Sequence, residues 1–546
     1  MHGLIMNVPL TITSIMRHAE INHPGTEIVS VTSDNPRHRY TYADAFRRTR
    51  KLANALTDYG IKMGDRVGTL AWNDYRHFEL YYAISGIGSV THTINPRLFP
   101  EQVAYIITHA EDRLIFIDPL ILPVVEALKE ELDSVESFIV LTDEANMPKT
   151  VLDNVQCYES FIAEASDEYD WPELDENTAC GLCYTSGTTG FPKGVLFSHR
   201  ANVLHSYASI SPDVFSLSVR DIAMPVVPMF HVNAWGIPYA APMVGAKLVF
   251  PGPKMGDGKT LQALIEEEKV TFSAGVPTVW LALLQYLSET GKKIESLNRI
   301  IIGGSACPEM LMREFLEKHD VYVNHAWGMT ETGPLGTVNT LKAGMDELPE
   351  EEVYKIKLKQ GRALFGIEMK ILDDENNELP RDGLASGLLM VRGPWVSSAY
   401  FQIQGESEVH GKDGWFATGD VATIDRQGYM QITDRSKDVI KSGGEWISSI
   451  DLENVAVGHP DLLEAAVIGV SHEKWGERPL LIAVKKADAI VEKQQILDWL
   501  KDKVAKWWLP DDVVFVENIP HTATGKILKM ELRKQFKDHQ LPKVHS

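Results

Sequence analysis

Cysteine is scarce in this chain: four in 546 residues, Cys157, Cys180, Cys183 and Cys307. So few thiols exclude a disulfide-stapled secreted scaffold and point to a reducing compartment. Cys180-x-x-Cys183 has no second pair to complete a zinc site. It leads into a strand, where positions i and i+3 face opposite ways, so buried structural thiols are expected. No run of 18 or more apolar residues occurs, and no membrane-crossing helix is expected. The amino terminus, MHGLIMNVPLTITSIM, lacks a basic segment and a small-residue cleavage site, and with the missing span this predicts a soluble, cytoplasmic protein. Positive charge is also short, 53 Lys and Arg against 75 Asp and Glu, a net charge of −22. That balance argues against nucleic acid or an anionic membrane as a broad partner. Internal repeats, low-complexity tracts and long charge blocks are missing. So is any Gly-x-Ser-x-Gly; Gly303-x-Ser305-x-Cys307 lacks the last glycine of a nucleophile elbow, which argues against a serine hydrolase.

What is present is a long, ordinary globular composition, 44% hydrophobic and 23% charged, too long for a single core. Thr41 reads as an N-cap. Phe46, Leu52, Ala55, Leu56 and Tyr59 follow at helical spacing, and Gly60 ends the run. Strand-like runs stand at Val67–Trp72, Leu114–Ile117, Phe138–Leu141, Lys247–Phe250, Arg299–Ile302 and Gly387–Val391. Strands alternating with helices predict an α/β protein with mostly parallel, helix-covered sheets. From about Ser436 a compact pattern begins: strands Ala465–Val470 and Leu480–Val484, a helix Gln494–Ala505, and a strand Val513–Val516. About 110 residues suffice for an independent small α/β domain. The expected division is 1–435 and 436–546.

Residues 184–194 read YTSGTTGFPKG, after the short apolar run Gly181–Tyr184. Glycines let backbone N–H groups approach a polyphosphate, and hydroxyls add donors and a metal ligand. It is not a P-loop, because Lys193 follows Pro192 and precedes Gly194 instead of opening a helix beside Ser or Thr. Further on stand WGMTETGP at Trp327–Pro334, Thr418-Gly419-Asp420, DRSKDVIKSGGE at Asp434–Glu445, and TATGK at Thr522–Lys526. In this order and spacing the chain resembles the adenylate-forming superfamily of acyl-CoA synthetases, peptide-synthetase adenylation domains and luciferases, from about Tyr40 to about Arg533.

The resemblance implies ATP, Mg²⁺ and coenzyme A, a large N-terminal domain with a small β subdomain, and a small mobile C-terminal domain. On an acidic body, a site for two polyanions has to be a local positive patch. Thr185, Ser186, Gly187, Thr188, Thr189 and Lys193 match the pyrophosphate grip, with Thr185 and Glu331 as magnesium ligands and Thr330 beside them. Gly303, Gly304, Ser305 and Ala306, after a strand, match the adenine and acyl wall. His325, Ala326, Trp327, Gly328 and Met329 run along the nucleotide, with Ile432. Relatives more often carry Tyr at Trp327, so stacking is kept and a hydroxyl is lost. Asp420 matches the ribose acceptor, and Arg435 sits close by. Lys437 takes the pivot, where many relatives carry Asp. Lys441 and Trp446 touch the nucleotide in the adenylating pose, while Ser442, Gly443, Gly444 and Glu445 line the pantetheine tunnel. Lys526 matches the catalytic lysine at the α-phosphate, an apt place for an ammonium group where charge develops. His521 stands where many relatives have Arg.

Pro228–Gly236 reads PMFHVNAWG. Amino-acid-activating relatives place Asp where His231 stands, so no carboxylate is offered to an ammonium group, and Val232 and Trp235 make an apolar wall. The acyl pocket is expected to include His231, Val232, Trp235, Gly304 and Gly328. His231 is either a capped core histidine or a pocket residue near the carboxylate. Trp235 matches a gating tryptophan of long-chain fatty acyl-CoA ligases, and GGEWISSIDLE at Gly443–Glu453 points to bacterial medium- and long-chain ligases, a subgroup that also holds 3-methylmercaptopropionate ligases. Other readings are short or aryl acids, a luciferase-like oxygenase, and an inactive AMP-binding scaffold. A peptide-synthetase module is disfavoured because twenty residues follow Lys526. A homodimer is left open.

Overall fold

The computed structural model describes residues 1, 3–185, 191–403, 409–411, 413–443, 445–472, 474–487, 489–501, 503–521 and 527–542. Among these the strands form four sheets, of nine, seven, four and five strands. The two large ones are mainly parallel, each with antiparallel strands at an edge. The four-stranded sheet, Glu368–Leu372, Ser386–Arg392, Phe416–Ile424 and Met430–Arg435, is antiparallel and forms the small β subdomain. The C-terminal sheet begins at Ile440–Ser442 and carries one parallel strand, Asp512–Phe515. The expected α/β class, with a large N-terminal and a small C-terminal domain, is what is observed.

Local rules account for the elements. The helix Tyr42–Tyr59 starts at a capping box, in which the Thr41 hydroxyl accepts from the Asp44 N–H while the Asp44 carboxylate accepts from the Thr41 N–H. It stops at Gly60, whose φ of 97° suits only glycine without strain. Strands Lys247–Phe250 and Arg299–Ile302 fall where the sequence places them, and the other expected strands differ by one to a few residues at their ends. One expectation is corrected. The helix expected over Gln494–Ala505 spans Lys493–Lys501, and Ala505 instead precedes a 3₁₀ turn, Lys506–Trp508. The apolar run continues through Val504 because that residue still packs on the core, so periodicity overshoots the helix end.

The helix Tyr75–Gly86 touches strands of both large sheets and is buried along its whole length. Its charged residues are paired inside. Glu79 meets Arg48 at 2.8 Å and the Tyr158 hydroxyl at 2.5 Å, and Arg76 meets Asp34 at 3.1 Å. The small domain is tied to the end of strand Met430–Arg435: the Ser449 N–H donates to Asp434 at 2.7 Å, and the Ser448 hydroxyl donates to the Thr433 carbonyl. Lys529, almost buried, binds Glu453 at 2.7 Å and the Ser449 hydroxyl at 2.5 Å. No helix among the described residues is long and apolar enough to cross a membrane. All four cysteines are free and buried, and no metal-holding cluster of three or more His, Cys, Asp or Glu occurs among the described residues. Burial pushes the Cys180 and Cys183 thiols up to about 12 and 11, so both are inert thiols.

Candidate functional site

Three loops leave the carboxyl ends of parallel strands, where open α/β sheets bind ligands. The strand Ala179–Tyr184 runs into the glycine- and threonine-rich loop and returns as Gly194–Ser198. The loop is pinched at its base, with the Thr185 N–H donating to the Lys193 carbonyl at 2.9 Å and the Lys193 N–H to the Thr185 hydroxyl at 3.1 Å. The Thr185 oxygen therefore accepts one bond from the base of the loop, and a hydroxyl can donate one bond and accept a second besides. Lys193 is exposed. Ser186, Gly187, Thr188 and Thr189 lie outside the described residues.

The neighbouring strands Arg299–Ile302 and Tyr322–Gly328 are parallel, with Ile302 opposite His325. They deliver the Gly303–Ala306 loop and the turn Thr330–Thr332 to one end of the sheet. Gly304 and Ser305 are exposed, and Ala306 is half-buried. Gly328 has to be glycine, because an added methyl would lie 2.0 Å from the Pro334 carbonyl oxygen. Ala326 is buried and Met329 half-buried. His325 is buried and held neutral, its pKa lowered to about 4 by burial, and Nδ1 bonds the Leu358 carbonyl at 2.9 Å. Thr330 and Glu331 are 6% and 5% exposed. The Tyr400 hydroxyl donates to Glu331 Oε1 at 2.8 Å. These hard oxygen donors suit Mg²⁺, which needs one or two carboxylates and takes its other ligands from water and phosphate.

The β subdomain closes one side. Trp327 Nε1 donates to Asp420 Oδ2 at 2.9 Å, and Arg435 Nε meets Asp420 Oδ1 at 2.8 Å. Asp420 and Arg435 face each other across adjacent strands, which explains the pairing. The sequence named all three residues, and the structure brings them together. It also gives Trp327 a donor function beyond stacking. The Ile432 N–H bonds Gln360 Oε1 at 2.6 Å. Lys437 is exposed.

In the small domain the hairpin pairs Lys441 with Trp446 and Ser442 with Glu445. Gly443 takes φ 62°, and Ser442 is buried with Arg478 Nη1 at 3.3 Å. Gly444, Lys526 and the side chains of Glu445 and Trp446 lie outside the described residues. His521 pairs with Glu464 at 2.5 Å inside its own domain.

The acid-side segment has an unusual backbone. Val232, Asn233, Ala234, Trp235 and Gly236 have φ of 43°, 53°, 48°, 56° and 79°, a left-handed turn with four non-glycine residues. Each of those four costs roughly 1–2 kcal/mol, and such strain gathers at functional sites. The turn buries Val232 and sets the Trp235 indole against the Gly303 loop, where a methyl added at Gly303 would lie 3.0 Å from the ring. His231, half-buried, precedes the turn, and its N–H bonds the Pro228 carbonyl. Tyr400 is the residue that sequence reasoning missed. It stands in VSSAYFQ, which carries no motif.

The AMP-binding enzyme family matches residues 17–401, and its C-terminal domain matches residues 451–526. The chain is 52% identical to a 3-methylmercaptopropionyl-CoA ligase of Ruegeria lacuscaerulensis, over 98% of this chain and 99% of that one. It is 48% identical to a medium-chain-fatty-acid–CoA ligase of Ectopseudomonas oleovorans, over 98% of both. Among solved structures, an anthranilate CoA ligase in complex with anthranoyl-AMP superposes with a TM-score of 0.86 at 24% identity, over 97% of this chain and 98% of that one, which shows the shared fold.

Proposed function

Because the chain belongs to the AMP-binding enzyme family and is an ATP-dependent acyl-CoA ligase, we propose that its acid is an unbranched aliphatic carboxylate, a medium- or long-chain fatty acid first. The acid and ATP give acyl-AMP and pyrophosphate; the CoA thiol then attacks the acyl carbon, the bond to the phosphate oxygen breaks, and AMP leaves. The observation that carries the substrate class is the apolar turn, with Val232, Ala234 and Trp235 buried and the Trp235 indole lying against Gly303. That wall offers no carboxylate to an ammonium group and suits a slender alkyl tail. A second reading is 3-methylmercaptopropionate, the acid named for the relative at 52% identity. Its thioether is slender too and would gain a sulfur–aromatic contact with Trp235.

The proposed roles follow the site. The loop from Thr185 to Lys193 holds the pyrophosphate end of ATP, the hydroxyls of Ser186, Thr188 and Thr189 serving as donors and the Lys193 ammonium as the positive charge. Asp420 and Arg435 hold the ribose, and Trp327, Gly303–Ala306, His325 and Ile432 enclose the base. Glu331 and Thr185 would hold Mg²⁺, with Thr330 beside them, and the ion when bound offsets polyphosphate charge. His231 stands near the carboxylate. Lys526 stabilises charge at the carboxylate–phosphate junction, and the domain from Ser436 turns about Lys437 to exchange Lys526 for the loop of Ser442–Glu445. Catalysis is then mainly positioning and electrostatics.

The test is AMP release, dependent on both ATP and CoA, over a panel from C2 to C18 with 3-methylmercaptopropionate and cinnamate. A maximum anywhere from about C6 to C18 supports the first reading and a maximum at the methylthio acid supports the second, while a maximum at C2–C4, preference for cinnamate or release of ADP overturns both. Lys526→Ala, expected to lose about 10²–10³-fold in adenylation but little in thioester formation from ready-made acyl-AMP, tests the alternation. Equal loss in both halves would refute it.

A further inference from the structure

Tyr400 lies between the β-subdomain strand Ser386–Arg392 and Thr418-Gly419-Asp420, in a segment no motif marks. Its side chain is buried and reaches several parts of the site at once. The hydroxyl donates to Glu331 Oε1 at 2.8 Å, and the ring face carries Lys193 Nζ at 4.8 Å from its centroid. The ring packs edge-on against His410 at 5.0 Å and belongs to a small apolar cluster with Cys183, Val195, Phe197 and Val232. The backbone on either side is tied to the same two loops. The Ser397 N–H donates to the Glu331 carbonyl at 2.7 Å, and the Phe401 N–H to the Gly194 carbonyl at 2.8 Å.

We propose that Tyr400 is a positioning residue of the adenylation site, which fixes the Glu331 carboxylate and the Lys193 ammonium relative to each other. The hydroxyl engages one oxygen of Glu331 and so orients the other. The ring holds the end of a long, flexible lysine over one face, a contact worth about 0.5–2 kcal/mol. Val232 in the same cluster joins the acid-side turn to this arrangement. The inference rests on the reading that the loop and Glu331 bind ATP and Mg²⁺.

Two substitutions separate the two ends of the side chain. Tyr400→Phe keeps the ring and removes the bond to Glu331; Tyr400→Leu removes both. ATP binding is measured by calorimetry on the full chain, with and without Mg²⁺, alongside the melting temperature. Tyr400→Phe is expected to bind ATP without Mg²⁺ as the wild type does and to lose about tenfold of the gain that Mg²⁺ confers, the size of one hydrogen bond to a charged group. Tyr400→Leu is expected to lose affinity without Mg²⁺ as well. Combining Tyr400→Phe with Glu331→Gln should remove no more of the Mg²⁺ gain than Glu331→Gln alone, because the hydroxyl acts through that carboxylate. An unchanged Mg²⁺ gain in Tyr400→Phe overturns the inference, as does an equal loss in both media that follows the melting temperature. Wild-type protein that binds no ATP in either medium would instead overturn the reading of the site itself, and this inference with it.

Discussion

At Asp420 both carboxylate oxygens already hold a donor, the Trp327 indole on one side and the Arg435 guanidinium on the other. A carboxylate oxygen has a second lone pair, so a ribose can still be accepted, by a group whose direction is fixed beforehand. Replacing Trp327 by Phe keeps an aromatic face and removes one donor to a buried carboxylate. The expected result is about tenfold weaker ATP binding, seen as a raised KM for ATP with kcat little changed, and an unchanged KM would refute it. Trp327, Asp420 and Arg435 were legible because each sits in a motif whose order is informative. Tyr400 was not, since its contacts join residues 69 and 207 positions away and nothing in VSSAYFQ signals them. The hydrogen bond from Trp327 to Asp420 was equally hidden, because a spacing of 93 residues closes only where the four-stranded sheet meets the nine-stranded one.

Among the elements, the central helix Tyr75–Gly86 shows where pattern reading stops. Its sequence, YRHFELYYAISG, mixes Arg, His and Glu with aromatics, and every residue is buried. The usual rule of an outward polar face fails here because Arg48, Tyr158 and Asp34 from other elements answer its charges. Glu79→Ala leaves the Arg48 guanidinium with one buried partner fewer and the Tyr158 hydroxyl unanswered. A loss of about 3–5 kcal/mol is expected, measured by denaturant unfolding, and a loss under 1 kcal/mol would show that water or Glu159 takes over. Thr41 and Gly60, by contrast, announced their helix through local chemistry alone. The left-handed turn Val232–Gly236 gave only its closing glycine as a sign, since Val, Asn, Ala and Trp predict nothing of positive φ. The overshoot at Ala505 has the same root: burial continues after the helix has ended.

For the whole molecule, buried histidines set the response to acid. Burial lowers His205 to about 3 and His38, His77, His199 and His325 to about 4. Two of them are held neutral by their bonds as well, His205 accepting the Leu335 N–H and His199 the Ile12 N–H. A folded-state pKa below the unfolded 6.5 means that the unfolded chain binds more protons in between, so their contribution is present above pH 6.5 and lost as pH falls toward 4. Asp74, raised by burial to about 7, Asp118 and Asp451, raised to about 6, and Glu79, Asp112, Asp434 and Glu453, also raised by burial, act in the opposite sense over an overlapping range, but are fewer than the histidines once His23, His109, His319 and His410, lowered too, are counted with the five. The melting temperature is therefore expected to fall between pH 6.5 and 4, and a flat or rising profile would refute this. The joint between the domains has another kind of consequence. Asp434 and Arg435 are neighbours on one strand, Asp434 bonded to Ser449 of the small domain and Arg435 to Asp420 of the β subdomain. Consecutive strand residues face opposite ways, so a single peptide unit separates the contact within the β subdomain from the contact with the partner domain. In terms of recombination, this makes the segment after Arg435 a natural crossover point. A donor domain grafted there meets the host strand through Asp434 and the Thr433 carbonyl, and has to supply the two consecutive serines that bond them.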